Sequence, residues 1–329
     1  MVDRARITDV APRDGLQNEP GLIATADKVR LVEMLATAGV DEVEATSFVS
    51  PKWVPQLADA ADVLRDVSDF AEGVRYVAGG VPRGAGQTGA RVDGAPLPVF
   101  SVLVPNERGF EQALEVHEAG LPLKIALFTA ASETFSQKNT NASIAETIER
   151  FRPIVPRAFE ADMPIRLYIS CAIACPFEGA ITPLQVRGVA DALLELAPDD
   201  DHRQLLELDL GDTIGVAHPA DILALCAAFD DLTPWLTLHL HDTHGRAAAC
   251  VHAAIESGVR SFDGSAAGLG GCPYASTPER RAPGNIATET LVRACIDAGL
   301  TTGVDLELLS EASDFAADVV KQARSEHTS

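Results

Sequence analysis

LLELDLGDTIGVAHPADILALCAAFDDLTPWLTLHLHDTHG, residues 205–245, reads as strand, helix, strand. LLELDLG (205–211) and LTLHLHD (236–242) are short β-rich runs, and HPADILALCAAF (218–229) between them carries apolar residues at helical spacing. A helix joining two such runs implies that they lie parallel in one sheet. The pairing recurs on both sides. ARITDV (5–10) precedes TADKVRLVEMLATAG (25–39), VEATS (43–47) precedes PKWVPQLADAADVLRDV, and VFSVLV (99–104) precedes ERGFEQALEVHEAG. LKIALFTA (123–130) precedes SIAETIERFRPIV, and IRLYISC (165–171) precedes TPLQVRGVADALLELA. LTLHLHD is itself followed by RAAACVHAAIESG, and SFDGSA (261–266) by ATETLVRACIDAG, with a last helix near 306–322. Eight pairs predict an α/β fold, a (β/α)8 TIM barrel with an additional C-terminal helix, as one domain over 1–329 with 301–329 as a helical extension. The open doubly wound sheet is the alternative, but PRDGLQNEPG (12–21) after the first run is not its GxGxxG fingerprint. Residues 79–98, GGVPRGAGQTGARVDGAPLP, carry Gly and Pro without apolar period and read as a loop on the N-terminal rim.

Composition narrows the function. Lys and Arg number 26 against 48 Asp and Glu, a net charge of −22. Such a surface repels nucleic acid and anionic membranes, which call for basic patches. No apolar run reaches the ~18–20 residues of a membrane span. The opening MVDRARITDV has no export-signal pattern, so a cytoplasmic location and reduced thiols are expected. The cysteines (171, 175, 226, 250, 272 and 295) include no CxxC pair, which argues against a structural zinc site. Most of them read as small buried hydrophobes.

In a barrel, polar residues at the C-terminal ends of strands are the informative ones. Arg13 and Asp14 follow the first run, where Pro12 and Gly15 also permit a simple turn. Glu44 lies inside VEATS, where a strand covered on both faces should be apolar, so its carboxylate needs a cation or a proton. Asp209 and Asp212 flank the end of the sixth run, and Asp212 could cap a turn. His239 and His241, two apart on a strand, share a face and together can hold a metal. Asp242 points to the opposite face, and His244 lies beyond the strand as a solvated residue. AAGLGGCPYASTPERRAPGN (266–285) either cradles phosphate or delivers Cys272 on a flexible loop, and Asn285 could cap the helix that follows. Tyr168 and Cys171 require no function, and KNTN (138–141) reads as a polar loop.

APRDGLQNEP, VEATSFVSPKWVPQ, SCAIACPFEG, LGDTIGV, HLHDTHG, GLGGCPYA and GNIATETL together resemble the 3-hydroxy-3-methylglutaryl-CoA lyases, in order and from Arg13 to Leu291. VEATSFVSPKWVPQ with GLGGCPYA is specific to that family, whereas RDG and HxHD alone mark a wider group of metal-dependent barrel lyases and synthases. The resemblance implies cleavage of the acyl-CoA substrate 3-hydroxy-3-methylglutaryl-CoA to acetyl-CoA and acetoacetate with Mg²⁺ or Mn²⁺, in a homodimer. It implies metal ligation by Asp14, His239, His241 and Asn285, and catalytic roles for Arg13, Glu44, Asp212 and Cys272. In those roles Arg13 pairs with the enolate oxygen, Asp212 is the base near the hydroxyl, Glu44 positions Arg13 or a metal-bound water, and Cys272 protonates the carbanion. The sequence departs from the family at 79–98 and in STPERRAP, which brings Arg280 and Arg281 near the mouth. A longer 3-alkyl chain or a condensing reaction therefore stays open as a variant of the same scaffold.

Overall fold

The computed structural model describes residues 3–77, 91–92, 95–271 and 284–327. Eight parallel strands close into a barrel: β1 (Arg6–Asp9), β2 (Glu42–Ser47), β3 (Val99–Leu103), β4 (Leu123–Ala130), β5 (Ile165–Ser170), β6 (Leu206–Asp212), β7 (Leu236–Leu240) and β8 (Ser261–Gly264). Each strand pairs with its neighbours in sequence, and β8 pairs with β1 to complete the ring. Between them run α1 (Thr25–Thr37), α2 (Ala60–Val77), α3 (Glu107–Glu118), α4 (Glu133–Thr140), α5 (Ile144–Phe151), α6 (Ile154–Glu160), α7 (Pro183–Leu194), α8 (Pro219–Ala227), α9 (Ala247–Glu256) and α10 (Thr288–Asp297). The C-terminal helix α11 (Leu306–His327) packs beside α1.

Three local expectations are corrected. SIAETIERFRPIV forms two helices, because Pro153 cannot continue α5 and instead sits at the start of α6. KNTN is not a loop. Lys138–Thr140 end α4, and Asn141 closes the helix in the left-handed region at φ 52°. Part of the 79–98 stretch is regular, since Arg91–Val92 and Ala95–Pro96 pair as a small antiparallel hairpin ahead of β3. Residues 78–90 and 93–94 lie outside the described residues.

The strand pleat sorts the core into two unlike parts. Ile7, Val43, Ile125, Leu167, Leu208, Leu238 and Phe262 belong to one apolar cluster with side chains of the surrounding helices. The alternate positions face inward, and near the N-terminal end they carry charge: Arg6, Glu42, Lys124, Arg166 and Glu207. Lys124 Nζ lies 3.0 Å from Glu42 and also pairs with Glu207, while Arg166 Nη2 reaches Glu207 at 2.7 Å. The expectation of apolar strands therefore holds on the helix-facing side alone. Burying charges costs several kcal/mol per ion, roughly, unless each is paired as these are.

Candidate active site

At the C-terminal end of β1 the chain makes one wide π-type turn, Ala11–Gly15, in which the Leu16 N–H donates to the Ala11 carbonyl at 3.1 Å. The turn sets the side chains of Arg13 and Asp14 together over the barrel. Arg13 is 7% exposed, its Nε lies 2.7 Å from Glu44 Oε2, its Nη2 2.5 Å from the same oxygen, and its Nη1 2.5 Å from Asp14 Oδ1. Burial opposes the guanidinium charge, but Glu44 and Asp14 more than offset it and raise the Arg13 pKa. Burial pushes the Glu44 carboxyl above its ordinary range although Arg13 pulls it down. For Asp14 the balance is reversed: burial acts upward, and Arg13, His239 and His241 bring the carboxyl below its ordinary value.

His239 on β7 and His241 just beyond it face the same interior, as their spacing predicts, with the two Nε2 atoms 3.2 Å apart. One ligand atom from each of Asp14, His239 and His241 falls within 4.8 Å of the others. Asn285 pairs with His241 through an isolated antiparallel bridge, and its Nδ2 donates to Asp14 Oδ2 and to the Leu269 carbonyl, each at 2.9 Å. Its Oδ1 is buried and makes no hydrogen bond among the described residues. Burial followed by the neighbouring His239 pushes His241 down to about 4, so its ring is neutral at pH 7. Burial also disfavours a charged His239, but its bond to Asp263 and the charges of Asp263 and Asp14 outweigh that and raise its pKa.

Two bare or exchangeable imidazole nitrogens, a carboxylate and an orphaned amide oxygen thus converge from three parts of the chain. That donor set fits a hard divalent cation with mixed oxygen and nitrogen ligation. Gly270 seals one side at φ +104°, where a Cβ would sit 2.7 Å from Asn285 Nδ2 and 3.2 Å from Asp14 Oδ2.

Asp212 ends β6 on the strand face opposite that of Gly211, the residue paired with His239. Its carboxylate accepts the amides of Val216 at 3.1 Å and Ala217 at 2.9 Å, so it is tied to its own loop and the structure does not join it to the cluster. Asp242 accepts the Ala247 N–H at 2.9 Å and serves the start of α9, and His244 is exposed. Cys272, Arg280 and Arg281 lie outside the described residues. The other five cysteines are buried and form no disulfide among the described residues.

Three residues at the heart of this arrangement were not expected there: Arg166 and Asp263, which the sequence does not single out, and Tyr168, which reads as requiring no function. The Tyr168 hydroxyl lies 3.4 Å from Glu44 and 3.2 Å from Asp263, and its ring stands edge-on to His239 with centroids 6.2 Å apart. The signal was present as period-two polarity, Arg166 and Tyr168 alternating with apolar residues in IRLYIS.

The HMGL-like family profile matches residues 4–316. Hydroxymethylglutaryl-CoA lyase, mitochondrial, of Rattus norvegicus is 40% identical over 324 residues, 98% of this chain and 87% of that protein. The solved structure of the HMG-CoA lyase from Brucella melitensis superposes with a TM-score of 0.80 at 38% identity, covering 97% of this chain and 99% of that one. An HMG-CoA lyase from Acinetobacter baumannii, solved in complex with coenzyme A and 3-methylmalate, aligns at 31% identity and a TM-score of 0.77, covering 97% and 92% of the two chains.

Proposed function

The chain belongs to the HMGL-like family, and from that premise we propose that it cleaves 3-hydroxy-3-methylglutaryl-CoA to acetyl-CoA and acetoacetate. The observation that carries this reading is the convergence of Arg13, Asp14, His239, His241 and Asn285 at the C-terminal mouth of the barrel, where barrel enzymes do their chemistry.

The reaction is a retro-Claisen cleavage. The C3 hydroxyl gives up its proton, the C2–C3 bond breaks as C3 becomes the ketone of acetoacetate, and the electron pair passes to C2 as the enolate of the acetyl thioester. A proton delivered to C2 completes acetyl-CoA. Asp14, His239, His241 and Asn285 would hold Mg²⁺ or Mn²⁺, which would supply Lewis acidity favouring loss of the hydroxyl proton. Arg13 is charged throughout and offers a preorganised donor to the enolate oxygen. Glu44 holds the Arg13 fork with two contacts to one oxygen and so fixes its direction. Asp212, whose carboxylate accepts the Val216 and Ala217 amides, is assigned the base that takes the C3 hydroxyl proton on the strength of the family resemblance. Cys272 is assigned the proton donor's role on the strength of the family resemblance.

The acyl-CoA thioester as substrate is consistent with the coenzyme A complex of the Acinetobacter relative. We assign the chain a single catalytic domain, a homodimeric state and a cytoplasmic location. Among the described residues no helix is long and apolar enough to cross a membrane. Incubation with Mg²⁺ and a series of 3-hydroxy-3-alkylglutaryl-CoA thioesters tests the reading. Acetoacetate from the methyl compound, with slower turnover of longer homologues, is expected. Preferential turnover of a longer homologue would reassign the substrate.

A further inference from the structure

We infer that Asp263 is a positioning residue that commits His239 to one tautomer and so prepares Nε2 for the cation. This rests on the metal site proposed above. Asp263 sits on β8 directly across from His239 in the strand register and is 1% exposed. Three donors converge on its carboxylate. Arg166 Nη1 reaches Oδ1 at 2.9 Å, and both the Tyr168 hydroxyl and His239 Nδ1 reach Oδ2 at 3.2 Å. A carboxylate only accepts, so His239 Nδ1 must carry the hydrogen, and in the neutral ring Nε2 is left with a bare lone pair. That Nε2 is the atom facing His241 Nε2.

The same carboxylate oxygen also joins the two halves of the site. From His239 the contacts run through Asp263 Oδ2 to the Tyr168 hydroxyl, on to Glu44 Oε2 at 3.4 Å, and from Glu44 to Arg13. Arg13 in turn touches Asp14 at 2.5 Å, whose carboxylate belongs to the cation cluster. Asp263 therefore fixes where the imidazole stands relative to the guanidinium that receives the enolate. Arg166, 0% exposed, is the anchor that holds Asp263 in place.

Asp263→Asn is the informative change, because it keeps the size and replaces one oxygen with an N–H donor. Arg166 cannot give up its proton, so the asparagine oxygen turns to it and the amide hydrogens turn to Tyr168 and His239. His239 must then accept at Nδ1 and carry its hydrogen on Nε2, where it cannot ligate. We expect the folded variant to bind Mn²⁺, read from free-ion electron paramagnetic resonance, about 10–100-fold more weakly than wild type. An affinity within about twofold of wild type in a variant with native circular dichroism overturns the proposal, since losing such a partner costs at least ~10-fold. Should the variant not fold, long-range ¹H–¹⁵N spectra of the metal-free wild-type protein, at a pH where the ring is neutral, decide the matter. Hydrogen on Nδ1 of His239 supports the inference, and hydrogen on Nε2 overturns it. A wild-type protein that shows the Nδ1 tautomer but binds no Mn²⁺ would uphold the orienting role and refute the metal reading, so the two fail separately.

Discussion

Arg13→Lys keeps a positive charge and removes the fork. In the native site Arg13 spans two carboxylates, with Glu44 at 2.7 and 2.5 Å and Asp14 at 2.5 Å. A single ammonium on a flexible stem cannot hold both while pointing at the enolate oxygen. Losing one oriented oxyanion donor costs about 10²–10³ in turnover, roughly 2.7–4 kcal/mol, and a charged donor at a buried site should cost no less. Stability moves less than the ~3–5 kcal/mol of a broken buried pair, for two reasons. The charge remains, and Glu44, already raised by burial, can take up a proton instead of standing unpaired. Steady-state release of acetoacetate at saturating substrate gives kcat, and titration with a non-cleavable CoA thioester gives binding. The expected pattern is a kcat lower by at least about 10² with binding changed only a few-fold. A normal kcat with a raised KM would refute the reasoning and make Arg13 a binding residue.

Other consequences are as specific. Gly270→Ala places a methyl 2.7 Å from Asn285 Nδ2 at φ +104°, and should weaken Mn²⁺ binding while Tm falls by only a few degrees; unchanged affinity contradicts the packing argument. Because the metal-free His239 pKa is raised, a cation competes there with a proton, so affinity should climb with pH through the neutral range and level off above that pKa. His241, at about 4, adds nothing until much lower pH, and calorimetry in two buffers should therefore report proton release on ion binding that shrinks as pH rises; release that does not change with pH contradicts the competition. His239→Ala should abolish tight metal binding with the fold intact by circular dichroism, whereas retained binding would remove it from the ligand set. Cys272→Ser should keep thioester binding within a few-fold and lose most turnover, since a hydroxyl is a far weaker acid than a thiol of pKa ~8.5. Normal turnover would end its assignment as proton donor.

What could be read from the chain depended on periodicity. The eight strand–helix alternations were visible because each apolar run is short and bounded, and His239 with His241 stood out because two polar residues on one strand face break an apolar pattern. Arg166, Tyr168 and Asp263 follow the same rule but hid among apolar neighbours. One polar residue in a strand reads as noise until the barrel shows several of them meeting inside. Asp212 shows the converse difficulty. Its place at the end of β6 was legible, but the Val216 and Ala217 amides that hold its carboxylate belong to the loop beyond, which no strand period reveals. The break at Pro153 was readable in principle, since proline cannot donate within a helix, but amphipathic spacing on both sides masked it.

The most direct test is cation titration of metal-stripped protein in the presence of 3-hydroxy-3-methylglutaryl-CoA, with acetoacetate and bound Mn²⁺ measured in the same samples. The account predicts no acetoacetate at zero occupancy and a rate rising in proportion to one bound ion per chain. Full cleavage in the stripped protein, or a filled site that yields no acetoacetate, would contradict it.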